Sequence, residues 1–193
     1  MYGPGARALQ DHFDSRRLAD RLVDITVHET LNEDDAALVA AQASFYLSTV
    51  DADGWPDVSY KGGDVGFIRV LDDKTIVFPS YDGNGMFRSL GNIEQNGRVA
   101  LLFVDTSRPW RMRVHGTAVV HLDGDLAASY PGAEAVVVVT PSRIFPNCGR
   151  YIHVDGEISD YVPSATHDPP EPEWKSHDAI RPYLPAATPD PSG

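Results

Sequence analysis

A glycine-bracketed turn with cations on either side of it is the most chemically legible cluster in this chain. The turn is Asp82-Gly83-Asn84-Gly85; Met86, Leu90 and Ile93 follow at helical spacing, with Arg88 and Ser89 between them. A helix beginning here aims unpaired backbone N–H groups, and the positive end of its dipole, back at the turn. Such an end holds an anion, and Arg88 with Lys61 adds a guanidinium and an ammonium, so the pattern points to a phosphate pocket. Farther on, Arg111-Met112-Arg113-Val114 alternates polar and apolar, which puts Arg111 and Arg113 on one strand face. Singly, each cation reads as solvated surface; four of them around one turn read as function.

Other chemistries find less support. Gly83-Asn84-Gly85 is half of a dinucleotide fingerprint, and Asp105 sits 20 residues beyond Gly85, but the third glycine position holds Arg88 and no second βαβ unit follows. Cys148, His153 and His167, or His115 and His121, show no paired-cysteine or HExxH spacing, so no metal site is expected. Neither a Gly-x-Ser-x-Gly elbow nor a local Ser, His and Asp trio suggests nucleophilic hydrolysis. Where side chains do not carry the reaction a bound cofactor can, and a phosphate-bearing one fits the pocket.

The elements that must position this cluster are mostly strands. Thr75-Ile76-Val77-Phe78 is β-branched and aromatic, and Pro79, lacking an N–H, is expected to end its ladder. Val99 to Val104 is a continuous apolar run, the pattern of a strand buried on both faces. Phe45 to Val50 and Trp55 to Lys61 flank Asp51-Ala52-Asp53-Gly54 as a hairpin, with Pro56 at an edge. Gly66 to Leu71 forms a third strand, and Ala135 to Thr140 another after a turn at Asp123-Gly124. About seven strands at short intervals, with one inserted helix, make an antiparallel closed or nearly closed barrel. Ahead of them, Leu18, Leu22 and Ile25 mark one amphipathic helix, and Asn32 caps a second whose first-turn acids, Glu33, Asp34 and Asp35, suit the helix dipole. Met1 to Leu9 reads as loose.

The totals bound the rest. At 193 residues the chain fits one compact domain with a tail. A net charge of −12 argues against nucleic acid as a partner. Between Pro56 and Arg113, eight Lys and Arg face seven acids, a balance of +1 that leaves −13 elsewhere, so the cations gather around the proposed pocket. One cysteine rules out an internal disulfide framework. No apolar run reaches the roughly 20 residues of a membrane span, and no signal-peptide apolar region is seen. A soluble, cytoplasmic protein is expected. Eight of the fifteen prolines lie between Pro163 and Pro191, in an extended or disordered arm that Trp174, Ile180, Tyr183 and Leu184 would anchor. The expected divisions are a helical segment at 1–30, a barrel at 31–162 and the arm at 163–193.

Trp55 to Gly63, Phe78 to Met86, Ser89-Leu90-Gly91-Asn92-Ile93 and Arg111 to Gly116, in that order, resemble the pyridoxamine phosphate oxidase-like family of flavin-binding split barrels. The resemblance spans roughly Leu31 to His153. It implies a mainly β fold with flanking helices, a six- to seven-stranded antiparallel split β-barrel of the FMN-binding type. It also implies a homodimer with FMN in a groove at the interface, and an oxidoreductase acting on a small organic substrate. By motif, Ser59 and Lys61 line the flavin, Ser80 and Tyr81 follow the next strand, Asn84 belongs to the turn, and Arg88 with Ser89 fall at the phosphate-binding helix start. Arg111 is placed toward the isoalloxazine ring, where a cation would stabilise the anionic reduced form. Relatives of the family bind a deazaflavin in the same groove, which leaves a deazaflavin-dependent reductase or a non-catalytic flavin-binding module as alternatives. The segment Asn147 to His153 departs from the Arg- and His-bearing substrate segment of the oxidase proper, which argues against pyridoxamine phosphate itself as substrate.

Overall fold

In the computed structural model, residues 1–105 and 107–186 are described. Seven antiparallel strands form one sheet in the order β2-β1-β5-β6-β7-β4-β3. They are β1 (Ser44–Val50), β2 (Pro56–Gly62), β3 (Arg69–Asp72), β4 (Thr75–Tyr81), β5 (Arg98–Asp105), β6 (Trp110–His121) and β7 (Ala133–Asn147). The helices are α1 (Pro4–His12), α2 (Arg16–Thr26), α3 (Glu33–Ala40), α4 (Arg88–Asn96) and the single turn α5 (Asp125–Ala128). This is the mainly β, split-barrel architecture expected, with seven strands.

The sheet curls because β6 and β7 are long. Strand β7 pairs with β6 from Val136 to Asn147 and with β4 from Ala133 to Val139, so its first half joins two walls. The apolar sides of those walls meet in one core, where Phe45 contacts Phe78 edge-on at 4.9 Å and Phe103 lies 5.5 Å away. At the bend the β6/β7 register shifts between His115 and Gly116. A Cβ on Gly116 would collide with the Thr140 carbonyl, so a glycine is required for the two backbones to approach.

The hairpin formed as expected: Val50 pairs with Pro56, and Asp51 Oδ1 accepts from the N–H groups of Asp53 (3.0 Å) and Trp55 (2.8 Å). Pro56 opens β2 at the sheet edge, where its missing N–H costs no ladder bond. Asn32 caps α3 with a reciprocal pair: Asp35 N donates to Asn32 Oδ1 (2.8 Å), and Asn32 N donates to Asp35 Oδ2 (3.1 Å).

Four expectations are corrected. Pro79 does not end its strand, since β4 runs to Tyr81 with Pro79 opposite Val136. Strand β3 reaches only Val77, so beyond it β4 has a neighbour on one side alone. The strand expected at Ala135 to Thr140 extends to Asn147, past Pro141, which lies at the bulge. The third strand begins at Arg69, not Gly66. Met1 to Leu9 is not loose: α1 starts at Pro4, whose fixed φ suits the first helical position.

The arm, as far as it is described, lies against the N-terminal helices. Arg21 Nε donates to the Ala179 carbonyl at 3.0 Å and its guanidinium stacks over Tyr183, while Ala186 N donates to Asp14 Oδ2 at 3.1 Å. Ile180 is buried. The expected arm's last seven residues, 187–193, lie outside the described part. No helix among the described residues is long and apolar enough to cross a membrane.

Candidate functional site

Helix α4 is set by two stripes of its own sequence. Leu90 and Ile93 enter the core. Ser89, Asn92 and Asn96, at spacings of three and four, face β1 and β2. Ser89 Oγ lies 3.0 Å from Ser59 Oγ, Asn92 Nδ2 donates to Thr49 Oγ1 (2.9 Å), and Asn96 Nδ2 donates to the Val50 carbonyl (2.7 Å). At its end Gly97, at φ +67°, donates its N–H to the Ile93 carbonyl and accepts from Ala118 N on β6. At its start Phe87 stands in the left-handed region at φ +48°, and no side chain caps the helix. The first-turn N–H groups therefore have no partner within the helix and none from a cap.

Those groups open on a cleft of about 490 Å³ between β2, the end of β4, the turn after it and the first turn of α4. Seven of the eight residues expected to bind the cofactor line it: Ser59, Lys61, Ser80, Tyr81, Asn84, Arg88 and Ser89. Asp57, Ser59 and Lys61 alternate along β2 and are partly buried, whereas Val58 and Tyr60 between them are exposed. Asn84 Oδ1 accepts from Met86 N at 3.0 Å, an Asx turn that shapes the loop. Met86 lies outside the helix and is exposed, so the helical spacing counted from it begins two residues too early.

The charge in the cleft differs from the four cations expected. Lys61 and Arg88 line it with Asp57, Asp82 and Glu134, a formal balance of −1. Arg88 Nε contacts Asp57 Oδ2 at 3.4 Å, an exposed pair and therefore a weak one. Burial pushes the Lys61 ammonium below the ordinary lysine value, and Asp57 opposes that shift. What the cleft offers an anion is thus a set of backbone donors, the hydroxyl-bearing residues Ser59, Ser80, Tyr81 and Ser89, and two cations. Asp57 was legible on the same period-two face as Ser59 and Lys61; Glu134 arrives from β7 with no local signal.

Arg111 does not line this cleft. It lies on the opposite side of the sheet, in register with Val104 on β5 and Asn147 on β7, and its Nε is buried without a partner. The same side carries a row of register partners across four strands, Tyr60, Tyr46, Leu102 and Arg113. Tyr46 and Tyr60 meet edge-on at 5.8 Å and are 44% and 63% exposed, and Val58 is 63% exposed.

A seven-stranded split barrel with an uncapped helix end facing an edge-strand cleft is a fold of the flavin-binding split-barrel class. The family profile described as pyridoxamine 5'-phosphate oxidase matches residues 31–148, and the chain belongs to that family. Among solved structures, HupZ from Group A Streptococcus is 28% identical, covering 60% of this chain and 93% of its own, with a TM-score of 0.50. A Lactobacillus delbrueckii protein, provisionally described as a pyridoxamine 5'-phosphate oxidase, is 30% identical, covering 63% of this chain and 99% of its own, also at 0.50. No curated protein matches in sequence.

Proposed function

We propose that this protein is an FMN-dependent oxidoreductase acting on a small organic substrate, with the FMN phosphate held in the cleft at the start of α4. The observation that carries this reading is the convergence of Ser59, Lys61, Arg88, Ser89 and the uncapped helix end on one cleft, in a chain of this family. These groups fit a phosphate: unpaired N–H donors and hydroxyls bond its oxygens, and Lys61 and Arg88 match its charge. When bound, FMN supplies hydride and electron transfer. The chain's own contribution is to anchor the phosphate, to shape the wall with Ser80, Tyr81 and the Asn84 turn, and to present donors.

One chain leaves the site incomplete, because Arg111 is on the far side of the sheet from the cleft. We take the functional unit to be a homodimer packed through the side bearing Tyr46, Val58, Tyr60 and the arginines. Exposed aromatics next to arginines are the composition of an interface core. Val58 and Tyr60 of that side also line the cleft at the edge strand, so in that arrangement Arg111 of one protomer serves the flavin of its partner there. Bound flavin is expected to be reduced by NAD(P)H or an added reductant and reoxidised by an organic acceptor. Redox silence across a broad panel of donors and acceptors would leave a flavin-binding module instead.

A further inference from the structure

A second cavity, of about 810 Å³, lies away from the cleft and shares no lining residue with it. Helix α2, the end of β7 and the proline-rich arm enclose it, and much of its wall comes from residues outside the span 31–148 that matches the family. The body of the wall is apolar, with Leu22, Ile25, Phe145 and Ile180. Two cations interrupt it, Arg113 and Arg150, neither with a carboxylate partner among the described residues.

The buried polar atoms left unsatisfied also gather here. Among the described residues three buried side-chain atoms have no hydrogen-bond partner: Arg111 Nε, Asn147 Oδ1 and Trp174 Nε1. Asn147 and Trp174 line the cavity, and Arg111 is the register partner of Asn147. These three atoms have almost no accessible surface and so face the packing behind the wall; what opens on the void is the apolar wall and the two unneutralised cations, the make-up of a pocket for an organic anion.

We propose that this cavity binds an organic anion with an aromatic or apolar body. Arg113 and Arg150 match its carboxylate, and the apolar wall takes its body. The cavity shares no lining residue with the cleft, while Arg113 also stands on the face packed against the partner in the dimer proposed above.

Cys148 makes the proposal testable. It is the chain's only cysteine, lines the cavity and accepts a hydrogen bond from Arg150 Nε at 3.2 Å. The probe is 6-hydroxy-2-naphthoate, its neutral control the corresponding carboxamide, with binding followed by tryptophan fluorescence and by the rate of Cys148 alkylation with iodoacetamide. Expected are saturable binding of the acid, affinity for the carboxamide weaker by about tenfold or more, and a similar loss in Arg113→Gln, the size of one charged hydrogen bond. Saturating acid should slow alkylation several-fold, and the cavity-filling Ile25→Trp should abolish binding while FMN uptake in that variant and in Arg150→Gln is unchanged. No binding, equal affinity for acid and carboxamide, or alkylation indifferent to the acid would overturn the proposal.

Discussion

At the residue scale, Lys61 and Arg88 carry the phosphate reading in different ways. Arg88 is exposed and shared with Asp57, so its worth to an anion is that of one charged hydrogen bond, about 1.5–3 kcal/mol. Arg88→Ala is expected to weaken FMN binding by about tenfold or more in a fluorescence titration; an unchanged curve would put the phosphate elsewhere. Lys61 is partly buried and its ammonium is already destabilised. Only its protonated form attracts phosphate, and its folded-state value is lowered, so affinity is present below that value and falls as pH rises through it, earlier than for an ordinary lysine. Titrations from neutral pH up to the ordinary lysine value should show this decline in the native protein and a flatter profile in Lys61→Arg, whose guanidinium stays charged. Ser59, Lys61, Arg88 and Ser89 are legible in the sequence through residue type and alternation. The Asp57 contact is not, because residue types alone do not say which carboxylate a cation meets across 31 positions of chain.

At the element scale, the cleft is only as well formed as the seat of α4. Asn92 holds the helix to β1 through Thr49, which is 1% exposed and has no water to replace a lost partner. Asn92→Ala is expected to destabilise the fold by about 1–3 kcal/mol, lowering the Tm by about 2–4 °C for each kcal/mol in a thermal melt. A variant melting with the parent would show that Ser89 and Asn96 seat the helix without it. The type of most elements is legible in the sequence, because apolar runs and period-two alternation are local signals. Their ends are less legible. Whether β4 continues past Pro79 depends on how far β3 reaches, and whether β7 passes Pro141 depends on a bulge opposite Gly116, both properties of partners distant in sequence. Helix α1 is hidden because Gly3 and Gly5 flank the proline that starts it.

At the scale of the whole molecule, the row from Tyr60 to Arg113 meets the cleft at Tyr60, which also lines it, so disrupting the expected interface is expected to weaken cofactor binding as well. Tyr46→Asp combined with Tyr60→Asp puts charge at the centre of the expected interface; light scattering should then report a monomer where the parent is a dimer. A monomeric parent would remove Arg111 from the flavin site. Family membership is legible from four motifs because they are contiguous. The arm's packing on α2 is legible only as a few apolar anchors, since composition cannot say what surface they meet. The most direct test of the central claim is the visible absorption spectrum of the purified protein, with mass spectrometry of whatever it releases on denaturation. We expect flavin bands and the mass of FMN, or uptake of added FMN by a protein purified without it; a deazaflavin would keep the fold and cleft but change the cofactor. A colourless protein that takes up no added FMN would contradict the assignment of the cleft.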